Sequence, residues 1–304
     1  MLKIGIIDSN ISPNDYSDVL KKSSDFAFGG FYDLSSKTSS GESIQSDFSQ
    51  LSGFKELIHS CDALYFPKVN IDVYSLITFT LKQSKHVLIG NPLNLNLEAV
   101  DHLFKLADEA NVILKVIQTV HYYSVLQTAI QYIRNPVYLE IQKELTNTNE
   151  SLIDSLYKSV QPAVLINQNS MKKLQAVSIP QNNGTPDVIN ARIEFNNGCV
   201  ANITSSSYSG SERFLCRIHQ EKQHIDIDFA NQSIGLTTFE DPNQNQLSDL
   251  IKVPVNDPFI DGLSGFATNI INNSFHLNNS ENGYNTYFIS RKILEKISCE
   301  SSII

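Results

Sequence analysis

The sequence has no tryptophan, two methionines and four cysteines in 304 residues. Cys61, Cys199, Cys216 and Cys299 are scattered, with no C-x-x-C pair. That spacing excludes a zinc ribbon and offers no disulfide framework, so buried free thiols in a reducing compartment are expected. Cations are scarce as well: 23 Lys and Arg stand against 32 Asp and Glu, a net charge of −9. Such a balance repels phosphate-rich partners, so neither nucleic acid nor an anionic membrane is an expected partner. No apolar run is long enough to span a bilayer, and the first residues do not form a secretory h-region. The expected address is the cytoplasm. No Walker loop, H-E-x-x-H or Ser-His-Asp order occurs. The most telling absence is of glycine at the start of the chain.

There the sequence reads "KIGIIDSNISP", Lys3 to Pro13. Ile4, Ile6 and Ile7 around Gly5 form the short apolar run of a buried parallel strand. A strand entering a helix at this point is where a dinucleotide-binding fold places its glycine-rich phosphate loop. Here Asp8, Ser9, Asn10, Ile11 and Pro13 occupy that stretch. A Cβ blocks close approach of the backbone to a pyrophosphate. Asp8 would add a carboxylate beside it, repelling by several kcal/mol at about 4–5 Å and an effective dielectric near 20. "SPND" is also a helix start of its own, with Ser12 as N-cap, Pro13 at N1 and Asp15 at N3. A remodelled cofactor loop and an ordinary strand–helix turn both remain open on these residues.

The first part of the chain alternates strand and helix. Strands are expected at Lys3–Ile7, at "FAFGGFYD" ending on Asp33, at "DALYFP", at "KHVLIG" and at "VILKVI". Helices are expected at "PNDYSDVLKKS", "FKELIHSC", "VYSLITFTLKQS" and "NLEAVDHLFKLADEAN", the last capped by Asn96. The serine-rich "LSSKTSSGESIQSDFSQLSG" reads as a surface loop. This rhythm predicts a parallel, doubly wound sheet. From about Val137 strands dominate: "VYLEIQKEL", "KLQAVSIP", "VINARIEF", "CVANITSSSY", "RFLCRIHQ" and "HIDIDFA". Phe195-Asn196-Asn197-Gly198 is a hairpin signal. Two helices, "DPFIDGLSGFATNIINN" and "SENGYNTYFISRKILEKIS", close the chain and could pack on either part. The fold class is therefore an α/β Rossmann-like parallel sheet domain, about residues 1–120. An α+β domain with an open, mainly antiparallel sheet follows over 121–304.

This order of elements resembles the Gfo/Idh/MocA oxidoreductase family over nearly the whole chain. The resemblance is carried by "KHVLIGNPLNLNLEAVDHLFKLADEANVILKV" (Lys85–Val116), where the family reads G-K-H-V-x-x-E-K-P-L-A before a helix. It is carried also by "TPDVINARIEFNNGCVANITSSS" (Thr185–Ser207), which is similar to the family's central hairpin. The resemblance implies hydride transfer between NAD or NADP and a hydroxyl of a sugar or polyol-like substrate. It implies no metal, and a homodimer or homotetramer formed through the C-terminal sheet. It also implies an acidic residue at Asp33 for the adenine ribose, and cofactor-side positions at Pro67, Asn91 and Pro92. The family's T-P-N-x-x-H stretch falls on "PKVNID", with Asp72 in the histidine's place.

The catalytic positions depart from the family's pattern. Aligned through Pro92, the E-K pair becomes Gly90 and Asn91. Asn91 can donate a hydrogen bond but cannot take a proton at neutral pH. Pro92 suggests that the turn survives, with the cis bond that family members show. Lys85 matches the structural G-K-H-V lysine, and a displaced catalytic role is the other reading. The D-x-x-x-H segment, placed on "NTNESLID", puts Asn147 and Ser151 in the places of Asp and His, with Asp154 fixing the register. Ser151 has no acid–base capacity near pH 7, and N-capping of the next helix is its plain role. His121 and Tyr122 lie where the resemblance places substrate contacts. His219, His224, Asp226 and Asp228 invite a metal reading, but strand neighbours about 7 Å apart cannot all share one ion.

Three motifs depart together. The expectation is a catalytically degenerate member with a binding or assembly role, extended to a sugar or nucleotide ligand. The alternative is an active NAD(P)-dependent oxidoreductase that uses Lys85, Lys68 or His121 as proton relay.

Overall fold

The computed structural model describes residues 1–8, 22–34, 52–146, 150–180, 186–207, 211–239, 247–272 and 279–300. The expected helix after β1, the serine-rich stretch, and site positions Ser9, Asn10, Ile11 and Asn147 lie outside the described residues.

The first compact unit comprises Met1–Ile117 with Phe259–Tyr284. Its strands are β1 (Leu2–Asp8), β2 (Phe26–Asp33), β3 (Ala63–Lys68), β4 (His86–Asn91) and β5 (Leu114–Val116). They form one parallel sheet in the order β2-β1-β3-β4-β5. Apolar runs without alternation are what a sheet covered on both faces needs. Helices α1 (Ser52–Ser60), α2 (Ile71–Lys82) and α3 (Leu97–Glu109) connect the strands. Asn70 caps α2 through the Val73 N–H, and Asn96 caps α3 through the Ala99 N–H. The other face is covered by α6 (Pro258–Ile271), whose Leu263, Phe266, Ala267 and Ile270 share a buried cluster with Ile4, Ile6, Phe26 and Leu88.

The sequence left open which part receives α6. The stretch Phe259–Tyr284 belongs with the first unit, because the apolar face of α6 is buried against the parallel sheet. Periodicity announces such a face but not the sheet that receives it.

The second unit comprises Gln118–Pro258 with Asn285–Ile304. A short 3-10 turn (Thr119–Tyr122) leads into α4 (Ser124–Ile130), β6 (Tyr138–Glu144) and α5 (Leu152–Asn167). Then come β7 (Met171–Pro180), β8 (Pro186–Phe195), β9 (Val200–Ser206), β10 (Arg213–Gln220), β11 (Gln223–Asp228), β12 (Ser233–Thr238) and β13 (Leu247–Lys252). They form an eight-stranded sheet ordered β13-β12-β11-β10-β6-β9-β8-β7. All pairs are antiparallel except β6 with β9. Alternate residues such as Ile189, Ala191, Ile193, Ala201 and Ile203 are buried with α5 and with Ile289, Ile293 and Ile297 of α7 (Asn279–Glu300). Gly198, at φ +85°, makes the expected turn, and its N–H donates to the Phe195 carbonyl. Strands β12 and β13 were not expected from the sequence. Gly235 and the polar "TT" and "SD" within them weaken the period-two signal.

One core residue of the first unit is a lysine. Lys115 of β5 is 3% exposed, and its register partner Leu88 lies on the α6 side of the sheet. Burial pushes its ammonium down to about 8. In the unfolded chain the group titrates near 10.4. Between about pH 8 and 10.4 the unfolded state therefore holds more protons, so stability rises with pH across that window. Below it both states are protonated and the cost of burying the charge persists. Lys115→Met should raise stability at pH 7 by about 2 kcal/mol and flatten the rise between about pH 8 and 10. Urea unfolding at several pH values checks both, and a variant with unchanged pH dependence would refute the assignment.

Candidate functional site

In a parallel sheet the carboxyl ends of the strands are where ligands bind. The described ends here present Asp8, Asp33, Lys68 and Asn91, from four adjacent strands. Asp8 pairs in register with Asp33, and Lys68 with Asn91. Pro67 and Pro92 flank the last two, so these sequence-predicted positions are brought to one edge.

Their environments differ. The Asp8 side chain has no exposed area, whereas Asp33 is exposed. The Lys68 ammonium stands 3.9 Å from Asp8 Oδ1 and is itself 62% exposed. The Asp8 carbonyl accepts from the Leu34 N–H at 2.9 Å. Burial, with the nearby Asp8 charge, pushes the Tyr65 hydroxyl well above the ordinary phenol range. The Asp8 carboxylate is buried and faces the Lys68 ammonium. Burial alone would not weaken its repulsion of a bound phosphate, since a low dielectric screens less; the Lys68 ammonium supplies an opposite charge.

Asn91 has a structural task. Its Oδ1 accepts from the Leu93 N–H at 3.0 Å, an Asx turn around Pro92. The Asn91–Pro92 bond is trans, since the described residues contain no cis peptide. This corrects the expected cis bond: the Asx bond sets the turn while the peptide remains trans. Gly90 is also constrained. A Cβ built there would lie 1.9 Å from the Pro67 carbonyl oxygen. Position 90 in this backbone thus has no room for a side chain.

Lys85 lies before β4, at the opposite edge from Asn91. Its Nζ donates to the Cys61 carbonyl at 2.8 Å, the contact of a structural lysine. Next to it, His86 Nδ1 accepts from the Ile113 N–H at 3.1 Å, and burial holds its pKa below the ordinary value.

Other predicted positions belong to the second unit. Ser151 caps α5: its Oγ accepts from the Asp154 N–H at 3.1 Å and donates to Asp154 Oδ2 at 2.6 Å. His121 and Tyr122 lie on the 3-10 turn, ring centroids 5.0 Å apart. Gln161 and Asn256, which sequence reading missed, hold that turn. Gln161 Oε1 accepts from the Val120 N–H, while Asn256 takes the Ser124 N–H and donates to the Tyr122 carbonyl. A glutamine within the apolar stretch "VQPAVLI" was the available signal for Gln161; nothing marked Asn256. Asp226 is engaged by Arg217 Nε at 2.5 Å across the β10–β11 pair. Among the described residues no group of three His, Cys, Asp or Glu could hold a metal ion, and no helix is long and apolar enough to cross a membrane.

No family model matches the chain. A curated relative, UDP-N-acetylglucosamine 3-dehydrogenase of Acidithiobacillus ferrooxidans, is 26% identical over 198 residues, 56% of this chain. The match spans 61% of that relative's length. A solved structure of the enzyme of that name and organism, GnnA, is similar at a TM-score of 0.84 and 16% identity over 98% of both chains. A dehydrogenase (MviM) from Clostridium difficile gives 0.78 at 17% identity, over 97% of this chain and 99% of that one. KijD10, a 3-ketoreductase from Actinomadura kijaniata solved with NADP, gives 0.76 at 14% identity over 97% of both. At these identities the likeness establishes the fold. A parallel Rossmann-like sheet followed by a mainly antiparallel eight-stranded sheet is the architecture that the Gfo/Idh/MocA resemblance implied.

The constraints at Gly90 and Asn91 are separable by mutation. Gly90→Ala should cost about 3 kcal/mol or more, since backbone, not a flexible side chain, meets the new methyl. Asn91→Ala should cost only about 1 kcal/mol, the worth of one hydrogen bond. Equal urea midpoints for Gly90→Ala and the unsubstituted chain would refute the close approach.

Proposed function

We propose that this chain is an oxidoreductase-fold protein of the Gfo/Idh/MocA type. On this reading it binds NAD(H) and a nucleotide sugar, and it lacks the family's lysine relay. The observation that carries the loss is Asn91. Its carboxamide stands in the lysine's place, cannot exchange a proton near pH 7, and is held in an Asx turn. Gly90 beside it has no room for the accompanying glutamate. At Ser151, a helix cap replaces the histidine.

The residues at the carboxyl edge fit a dinucleotide in part. Asp33, exposed at the end of β2, presents the acceptor pair that suits ribose hydroxyls. The same carboxylate would repel a 2′-phosphate, which favours NAD over NADP. The Lys68 ammonium, 3.9 Å from Asp8 Oδ1, would offset part of that carboxylate's repulsion of the pyrophosphate. Pro67, Asn91 and Pro92 would border the cofactor. When bound, the nicotinamide would supply the hydride chemistry. The nucleotide sugar is supported by the curated relative named for UDP-N-acetylglucosamine and by the KijD10 structure with TDP-benzene and NADP.

A second reading is favoured by Lys68. It is a largely exposed ammonium at the same edge, in register with Asn91 and beside a buried carboxylate. An amine so placed could hold and release a proton where Asn91 cannot. On this reading the enzyme is active with a displaced relay.

One measurement tests the cofactor on both readings, and a second separates them. Titration calorimetry should show NADH binding at least about tenfold tighter than NADPH, and Asp33→Asn should narrow the gap. Absorbance at the reduced-nicotinamide band with NAD and UDP-N-acetylglucosamine should show no turnover. Turnover abolished by Lys68→Met would replace the first reading with the second. Absence of binding by either dinucleotide would sink both.

A further inference from the structure

The second unit holds a cleft of about 470 Å³ that none of the carboxyl-edge residues lines. Its floor is a row of polar side chains across three strands. Gln175 of β7 is in register with Arg192 of β8, and Arg192 with Asn202 of β9. At about 4.8 Å between strands, the row is about 10 Å long. These residues face away from the core, because their neighbours Ala176, Ala191, Ile193, Ala201 and Ile203 are the buried ones. Asn190, two residues before Arg192 on the same face, donates to Thr204 Oγ1 at 2.9 Å. Lys296 of α7 also lines the cleft.

The charges here are not balanced by the protein. Glu194, the next residue on the same face of β8, is 3.2 Å from Lys172. Glu295, beside Lys296 in sequence, is engaged by Arg291 and Lys292 at 3.6 and 2.8 Å. Among the described residues no carboxylate lies within ion-pair distance of Arg192 or Lys296. Among the described residues, no carboxylate lines the cleft. In a chain of net charge −9, two such cations facing one concavity stand out.

We propose that this cleft binds a small hydroxylated metabolite through a phosphomonoester group. A guanidinium presents paired donors that match phosphate oxygens, and the ammonium adds a second positive charge. A phosphomonoester carries about −1.5 to −2 at pH 7, the charge that two cations balance. The carboxamides of Gln175, Asn190 and Asn202 donate and accept, as sugar hydroxyls require. Among the described residues no aromatic ring lines the cleft, so none of them offers a base or nicotinamide a stacking surface. The volume lies within the range of small-molecule sites, about 300–1,000 Å³. A sugar phosphate meets all of these conditions, and the proposal is independent of the dinucleotide reading.

The test is titration calorimetry of the full chain with glucose 6-phosphate, inorganic phosphate and glucose. Glucose 6-phosphate should bind saturably at one site per chain, inorganic phosphate more weakly, and glucose not at all. Arg192→Gln and Lys296→Gln should each weaken glucose 6-phosphate by about tenfold or more. Both substitutions fall on exposed side chains, and unchanged NADH affinity in both separates this cleft from the carboxyl edge. Three results would each overturn the proposal. One is no saturable binding of glucose 6-phosphate at millimolar concentration. Another is equal binding of glucose. The last is unchanged phosphate binding in Arg192→Gln together with a changed mass by light scattering, which would mark the face as an interface between copies of the chain.

Discussion

The close approach of β3 and β4 at their carboxyl ends governs the rest of the candidate site. The Pro67 carbonyl lies over Gly90 with no space for a Cβ. That contact brings Lys68 and Asn91 side by side in register and delivers the chain directly into the Pro92 turn. It also means that residue 90 could not have carried a charged side chain in this backbone. A glutamate there would need the two strands to separate, which would disturb hydrogen bonds along both. The glycine is therefore a consequence of packing, and its neighbour is free of any obligation to position a catalytic pair.

The same logic runs through the other departures. Two described positions at which the family resemblance expects proton-transfer residues hold side chains bonded to their own backbone neighbourhood. Asn91 closes an Asx turn and Ser151 closes a helix cap. Short polar side chains do this well because they reach the nearest N–H without straining their rotamers. Such bonds contribute about 1 kcal/mol each. They give local order at both positions, whatever chemistry the site carries. Asp8 follows a related course. Its side chain is buried beside Tyr65, with the Lys68 ammonium 3.9 Å from its Oδ1.

Much of the fold was legible in the sequence because apolar periodicity is strong in it. The parallel strands read as unbroken apolar runs, and Phe26–Asp33 and Arg213–Gln220 fall on the expected bounds. Asn96 was readable as a cap because the amphipathic run begins directly after it. The unit that receives α6 was not readable, since an apolar helix face carries no address. Strands β12 and β13 were missed because glycine and paired hydroxyl residues obscure alternation. At the site, residue types were legible but orientations were not. Sequence places Asp8 at a strand end; only the structure turns its carboxylate inward. Gln161 and Asn256 act from elements far along the chain, so no local pattern could connect them to the turn at His121.

Charge is distributed in a way that composition conceals. The excess of acid would predict a surface that repels phosphates everywhere. Yet most described basic side chains on the large sheet are matched in pairs, such as Arg217 with Asp226 and Lys172 with Glu194. Pairing removes those cations from the field felt by a ligand. It leaves a local excess only where a cation has no partner, as at Arg192 and Lys296. Over distances beyond about 8–10 Å the general negative field is screened at physiological salt. Within a cleft, the nearest unpaired charges dominate. An acidic protein can therefore present a phosphate-binding surface without any change in net charge, provided its carboxylates are committed elsewhere.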